Sequence, residues 1–491
     1  MTEQGARGPI TSAELDTLLG RCALLLDADL TDRIERVAAL ERLKHAICAA
    51  QARETVAVAA GRRAEHQAAG LPRAQWGRGV SLEIALARGV SVHRGQQLLG
   101  LAQDLSTELP ETLRAMERGE VDEWKATVVA RETACLDAND RRAVDAELAS
   151  DLGAMSIGQA RARVVAMSQD IDAAAMVKRA AKAVTDRRVT LRPAPDTMSW
   201  LSAMLPVKDG VAVFAALQAE VKRVVARGDV RHQGQIMADV LVERVTGRSL
   251  AEGVPLSVQL VMTDRALLGD DTTAAHVPGF GPVPADIARG WIIAAFGQSG
   301  GSGHDRAARD AEAQQEEAPA SPTQATPTGA QRFGAGRAED MVRFRRLWTS
   351  PDRRDLVAME STSRCFSGLL RQVIMLRDQR CTTPWCDAPV RHVDHTERSA
   401  DGGATSYHFG RGTCVTCNLA RESPGWRVDV TSRPDESHEI TITTPTGHTY
   451  RSLAPPLLPR GQRVRGEPQE RLDDEGPIPY GLPEDARPRA G

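Results

Sequence analysis

The sequence predicts a multidomain protein: a mainly α-helical N-terminal domain with a few strands, a flexible linker, and a small C-terminal α+β domain closed around a four-cysteine zinc site. Three observations predict it. The chain has 491 residues, more than one core usually organises, and its 42% hydrophobic content includes only 3% aromatic residues; with abundant alanine, that balance favours helix. A long internal stretch loses its large apolar residues. Half of the cysteines gather near the far end.

The helical domain is expected over residues 11–297. From Thr11 to Val184 apolar residues recur at helical spacing, as in Ile34, Val37, Leu40, Leu43 and Ile47, with breaks near Gly70–Pro72, Gly89, Pro110, Gly119, Asn139 and Gly153. The pattern alternates between Arg187 and Leu205, as strands do. It returns to helix over Asp209–Arg227 and Gly234–Thr246, and Pro255–Met262 reads as a further strand.

Residues 298–340 are Gly, Ser, Ala, Gln, Glu, Pro and Thr with hardly a large apolar side chain, too little burial to offset the entropy of ordering, and are expected to form a disordered linker. Gly300, Gly301 and Gly303 follow no strand and open no helix, so they are linker glycines and not a phosphate-binding loop. Folded character is expected again over 341–453. There Leu356–Met359 is apolar, and Leu369, Leu370, Val373, Ile374 and Leu376 fit one helix face. The Pro-, Arg-, Asp- and Glu-rich residues 454–491 read as a disordered tail.

The formal net charge of −3 neither favours nor excludes a nucleic-acid partner. Every lysine lies at or before Lys222 and all later cations are arginine, a side chain whose planar fork suits phosphate but which coding composition also enriches. No apolar run is long enough for a membrane helix and the N-terminus lacks the blocks of a signal peptide, so a cytoplasmic protein without a membrane partner is expected. In that reducing setting the scattered Cys22, Cys48, Cys135 and Cys365 are expected as small buried hydrophobes.

Cys381-Thr-Thr-Pro-Trp-Cys386 and Cys414-Val-Thr-Cys417 have the layout of a tetrahedral four-thiolate site. A closed shell of that kind leaves no position for substrate. Its zinc would be structural, holding together a domain whose core is thin. Between the pairs lies Arg391-His392-Val393-Asp394-His395, and Asn418 follows Cys417 directly. Asp394 and the side-chain oxygen of Asn418 offer a hard cation, Mg²⁺ or Mn²⁺, the oxygen ligands it prefers, while His395 remains free to take a proton from water. That set suits metal-assisted hydrolysis of a phosphodiester, with His395 as general base and the cation stabilising charge on the leaving oxygen. Arg371, Arg377, Arg380, Arg391 and Arg421 are the candidate nucleic-acid contacts, each set against the plainer reading of a solvated charge. His392 shares a strand face with Asp394 and is either a supporting partner or an ordinary structural histidine; His438 and His448 read as surface residues.

At these residues the chain resembles the HNH endonucleases of the ββα-metal class. The matching run goes from Arg377-Asp378-Gln379-Arg380-Cys381 through Asp394-His395 and Ala400-Asp401-Gly402-Gly403 to Cys417-Asn418, with Ser423-Pro424-Gly425-Trp426 closing it. The resemblance implies a hairpin with a helix across one metal, the helix beginning near Cys414. It also implies His395 as base, Asp394 and Asn418 as metal ligands, and DNA as substrate. The central motif Asn that braces the loop falls on Phe409 here, which cannot make its hydrogen bonds, and the adjacent His408 is the nearest polar substitute. Leu109-Pro110-Glu111-Thr112, Gly119-Glu120-Val121 and Gly279-Phe280-Gly281-Pro282-Val283-Pro284-Ala285 resemble the domain of unknown function 222 that precedes HNH segments in actinobacterial proteins. A metal-dependent DNA endonuclease is therefore the leading expectation. A zinc-dependent DNA-binding protein weakened in catalysis, and a helical interaction scaffold, are the alternatives.

Overall fold

Asp29 accepts a hydrogen bond from the amide of Asp32 at 2.8 Å and so starts helix α2 (Leu30–Ala68), the longest element among the described residues. The computed structural model describes residues 10–22, 29–247, 260–268, 271–300, 365–397, 403–434 and 436–458. These divide between two units, one taking Met1–Thr190, Leu201–Ala219 and Ala358–Ala454, the other Leu191–Trp200, Glu220–Val357 and Pro455–Gly491.

In the first unit α1 (Ser12–Cys22) and α2 are followed by α3 (Val80–Ala87), α4 (Val92–Thr107), α5 (Pro110–Glu117), α6 (Glu123–Thr133), α7 (Ala138–Leu148), α8 (Ile157–Ile171) and α9 (Ala173–Thr185). The sequence breaks at Gly70–Pro72, Gly89, Pro110, Gly119, Asn139 and Gly153 all fall at or within a few residues of helix ends. Ser91, Asp122, Asp137 and Ser156 cap the helices that follow them. Helix α5 begins with Pro110 at its first position and is capped from a distance. Asp145 on α7 accepts from the amides of Glu111 (2.6 Å) and Thr112 (3.0 Å) and from the Thr112 hydroxyl, and its burial raises its pKa.

The helical spacing over Ile34–Ile47 is borne out by α2, but it does not mark the inner face. The stripe from Ile34 to Ile47 is largely exposed, Ile34 at 70% and Val37 at 63%, whereas the buried face is Ala49, Ala52, Thr55 and Ala59. Small residues let α4 and α5 approach the α2 backbone closely. The core they enclose includes Leu101, Leu105, Leu109, Leu113, Met116, Val129, Val144, Leu148 and Val164. The scattered cysteines differ too: Cys48 and Cys135 only flank that core, Cys22 is half-buried and Cys365 is exposed.

The alternating stretch forms two strands, β1 (Arg188–Pro193) and β2 (Ser199–Met204), which pair with each other, and the predicted helices α10 (Val207–Ala226) and α11 (Gln233–Thr246) follow. Of the strand expected at Pro255–Met262, only Leu260–Met262 are described, and Val261 makes a single bridge to His276. Beyond α12 (Asp264–Leu268), β3 (Ala275–Val277) and β4 (Gly281–Val283) form a hairpin turned at Gly279, φ 84°, and pack on α13 (Ala285–Gly300) around Ala275, Val277, Val283 and Ala288. Helix α13 runs three residues past the predicted domain boundary. The rest of the predicted linker, Leu356–Met359 and nearly all of the tail lie outside the described residues. No helix among the described residues is long and apolar enough to cross a membrane.

The C-terminal module consists of α14 (Gly368–Asp378), the antiparallel hairpin β5 (His392–His395) and β6 (Gly410–Thr413), α15 (Val415–Arg421), and a three-stranded antiparallel sheet β7 (Arg427–Val430), β8 (Glu439–Thr443) and β9 (Thr449–Leu453). Part of its buried apolar surface is shared with the helices that precede it. Cys381, Cys386, Cys414, Cys417, Trp426, Val428, Ile440 and Ile442 share one cluster with Leu82, Ala85 and Leu86 of α3 and Val92 of α4. Gly79, at φ +90°, opens α3, and a Cβ there would lie 2.8 Å from Trp426 Nε1.

Candidate metal centres of the C-terminal module

Trp385 adopts φ 59°, in the left-handed region, and with Cys386 N bonded to Thr383 O it folds the 381–386 loop so that both thiols face one point. The second pair comes from a helix start. Cys414 is the N-cap of α15, its sulfur accepting from the amide of Cys417 at 3.4 Å. All four thiol sulfurs are buried and lie within 4.8 Å of one another, with Cys386–Cys414 at 3.8 Å and Cys386–Cys417 at 3.6 Å. A tetrahedral zinc with bonds of about 2.3 Å requires sulfurs separated by about 3.8 Å. The cluster could therefore hold a metal such as zinc. Hydrogen bonds from Cys386, Cys414 and Cys417 push the Cys381 thiol down, while bonds to Cys381, Cys386 and Cys414 push Cys417 up. Four thiols so crowded cannot all ionise unless a cation balances them.

The hairpin carries the remaining candidates on two faces. In register, Asp394 pairs with Arg411, His392 with Thr413 and His395 with Gly410. Side chains on a strand alternate. One face points at α15: His392 Nδ1 lies 3.0 Å from Asn418 Nδ2, and Arg421 Nη1 donates to Asp394 Oδ2 at 2.9 Å. The other face points at α14 and Phe366. A Cβ on Gly410 would lie 2.5 Å from Ile374 Cδ1, and one on Gly412 3.2 Å from Asp378 Oδ2 and 2.8 Å from Val390 Cγ2, so glycine at these positions lets α14 and the loop before β5 pack this close.

The predicted site residues separate accordingly. His392 and Asn418 meet on the α15 face, where Asp394 is held by Arg421. The side-chain oxygen of Asn418 is buried and has no hydrogen-bond partner, an acceptor left for a donor or a cation. His395 lies on the other face, 7% exposed, its Nε2 2.9 Å from the Thr405 hydroxyl and its ring 4.5 Å from that of Phe366. The structure thus sets the predicted base and the predicted ligand Asp394 on opposite sides of one strand. Phe409 is 40% exposed and stacks edge-on with His408. Its backbone, and not its side chain, braces the loop: Phe409 O accepts from the amide and hydroxyl of Thr396. The half-buried His408 ring is held below the usual imidazole pKa by burial and by Arg377.

Two of the arginines are buried braces, which corrects their reading as phosphate contacts. Arg377 is 3% exposed, ion-paired with Asp378, donates to the carbonyls of Tyr407 and Gly410, and lies over the Tyr407 ring. Arg421 donates to Asp394 and to the carbonyls of His395 and Thr396. Arg380 and Arg391 are exposed, and Arg371 is half-buried with one nitrogen donating to Arg391 O at 3.0 Å. His448 lies on the surface as read, but His438 does not: it is 4% exposed, its Nε2 2.8 Å from His408 O, one residue before β8 and in phase with the buried Ile440 and Ile442.

Sequence reasoning missed Arg411. It is 1% exposed, its Nε and Nη1 have no hydrogen-bond partner, and burial lowers its pKa against the fields of Cys381, Asp394, Cys417 and Asp378. Only the strand register, which sets it opposite Asp394, could have singled it out. The motif residues Leu109–Thr112 and Gly119 prove architectural. The first build the α5 start capped by Asp145, and a Cβ on Gly119, at φ +78°, would lie 2.7 Å from Arg42 Cβ.

No curated protein and no solved structure matches the chain. The family described as Domain of unknown function (DUF222) matches residues 41–284, from α2 to the β3–β4 hairpin, and ends before the cysteine cluster. This chain carries a DUF222 domain.

Proposed function

We propose that the protein is a metal-dependent endonuclease of the HNH type, hydrolysing phosphodiester bonds of DNA with a helical DUF222 domain as the platform for its nuclease module. The observation that carries the reading is that Asp394 of the hairpin and Asn418 of the helix after it lie on facing elements joined by the His392–Asn418 and Asp394–Arg421 contacts, next to four thiols that could hold a metal such as zinc. Asp394 and Asn418 would hold the catalytic Mg²⁺ or Mn²⁺, which supplies charge stabilisation for the leaving 3′ oxygen. The unpartnered oxygen of Asn418 fits that role. Arg421 orients Asp394 and fixes the end of β5, while Arg380 and Arg391 supply exposed positive charge for phosphates and the half-buried Arg371 adds to it. His395 would accept the proton of the attacking water, its ring orientation set by Thr405.

One observation favours a second reading, a zinc-stapled DNA-binding module without cleavage. His395 is shielded by Phe366 on the face away from Asp394, and Phe409 lacks the side chain that would brace the loop. Nicking of supercoiled plasmid in Mg²⁺ or Mn²⁺ by the zinc-loaded protein, absent in His395→Ala at equal zinc content, is the expected result. DNA retention with no nicking in either metal would replace the first reading by the second.

A further inference from the structure

We infer that Arg411 is the buried counter-charge of the four-thiol centre, the cation that lets Cys381, Cys386, Cys414 and Cys417 hold zinc as four thiolates inside the protein. The inference rests on the zinc reading of the thiols and does not depend on whether the module cuts DNA. Four thiolates bring more negative charge than Zn²⁺ neutralises. The excess, taken out of water, needs a positive group near it.

The starting point is an unpaired guanidinium. Arg411 is 1% exposed, and its Nε and Nη1 have no hydrogen-bond partner. The two carboxylates whose fields reach it, Asp394 and Asp378, are committed elsewhere. Asp394 is ion-paired with Arg421; Asp378 is ion-paired with Arg377 and accepts from the amide of Gly412 at 2.6 Å. Each carboxylate is balanced by its own arginine, and Arg411 is left over. A cation so deeply buried is costly unless an anion lies near it.

The backbone brings Arg411 to the thiols. Its neighbours Gly410 and Gly412 face α14 and Val390, so by strand alternation the Arg411 side chain projects to the α15 side of the hairpin, where Cys417 is buried. Strand β6 runs on directly into Cys414, the N-cap of α15. Gly412 O accepts from the amide of Thr382 at 2.9 Å and from its hydroxyl at 3.0 Å, which ties the residue after Cys381 to the residue after Arg411. The segments carrying Cys381, Cys414 and Cys417 therefore all adjoin it. Of the charges acting on the guanidinium, that of Cys381 is the largest, ahead of Asp394, Cys417 and Asp378. Neither Nε nor Nη1 is bonded to a sulfur, so the interaction is one of charge across the interior. Without the metal the guanidinium lacks its full complement of negative charge; zinc, which binds thiolates, supplies it. Arg411 thus destabilises the metal-free chain and strengthens zinc binding.

The test uses the full chain. Competition with a chromophoric chelator gives zinc affinity, and the thiolate-to-metal absorption of the Co²⁺-substituted protein reports the ligand set. The wild type is expected to take one zinc. Arg411→Met, neutral and similar in length, should bind it about 10–100-fold more weakly with the four-thiolate Co²⁺ spectrum kept. Its chelated form should unfold at no lower denaturant concentration than the chelated wild type. Arg411→Lys keeps the charge and should recover most of the affinity, although its ammonium cannot reproduce the packing of a planar guanidinium. Should Arg411→Met fail to fold even with zinc, Arg411→Gln takes its place as the neutral variant. Affinity unchanged in the neutral variant, affinity lost equally in Arg411→Lys, or a chelated neutral variant less stable than the chelated wild type overturns this inference and leaves the zinc reading standing. A wild type that takes no zinc overturns both.

Discussion

Arg421 Nη1 donates to Asp394 Oδ2 at 2.9 Å while the same guanidinium closes on the carbonyls of His395 and Thr396. One side chain thus joins the last turn of α15 to the end of β5, and it does so from a nearly buried position. Its charge is spent inside the protein.

Arg421→Met should therefore destabilise the module by about 2–4 kcal/mol, because it strips the carbonyls of donors and leaves Asp394 without its counter-charge. The salt dependence of DNA binding should not change. Arg380→Ala and Arg391→Ala should do the reverse, leaving stability within about 0.5 kcal/mol and each lowering the slope of log affinity against log salt by about 1. Chemical unfolding and filter binding at several salt concentrations measure both. A lowered salt slope in a stably folded Arg421→Met would return Arg421 to the phosphate-contact group.

Zinc is expected at one per chain, and its loss should be felt beyond the cysteines. Leu82, Leu86 and Val92 share a cluster with all four thiols. Chelation, or Cys417→Ser, should speed amide hydrogen exchange in α3 as well as in α15, while the core of Leu105, Leu109, Val144 and Leu148 keeps its protection. Exchange in α3 that ignores zinc would mean the shared cluster adds nothing to stability.

The parts legible in the sequence were those fixed by local chemistry. Break residues such as Gly89, Pro110 and Gly119 mark helix ends whatever packs on them, and the two cysteine pairs announce their convergence through spacing alone. What depended on long-range packing was not legible. The exposed Ile34 and Val37 and the buried Ala49 and Ala52 lie on the same helix, and only the neighbours α4 and α5 decide which face is inside. The separation of His395 from Asp394 follows from strand alternation, yet the side of the hairpin each would occupy required knowing that Gly410 and Gly412 admit α14. Arg377, Arg411 and Arg421 look no different in sequence from Arg380. Burial alone distinguishes them.

Gly79 tests the packing of the module on α3. Its φ of +90° is a conformation L side chains avoid, and a Cβ would meet Trp426 Nε1 at 2.8 Å and Ala420 O at 3.4 Å. Gly79→Ala should cost about 1–3 kcal/mol, shifting Trp fluorescence to the red as Trp426 becomes wet. Gly61→Ala, where nothing lies within 4 Å in the middle of α2, should be neutral or stabilising. Equal effects of the two substitutions would argue against the close approach at Gly79.

His438 gives the module a pH dependence separable from that of zinc. Burial, with help from the nearby Arg377 charge, lowers its pKa from 6.5 to about 4, so the folded protein keeps it neutral where the unfolded chain would protonate it. The unfolded state then binds the extra proton between pH 6.5 and 4. Stability contributed by neutral His438 is full above pH 6.5 and falls as the pH drops through that window, by about 3 kcal/mol at its acid end. Acid also releases zinc from thiolates, so the comparison must cancel that loss. His438→Gln does so, since an amide nitrogen can still donate to His408 O and does not titrate. The unfolding free energy of the wild type minus that of His438→Gln should be level above pH 7 and decline steadily from 6.5 toward 4. A difference that stays level throughout would place His438 in solvent and undo the inward register of β8 around it.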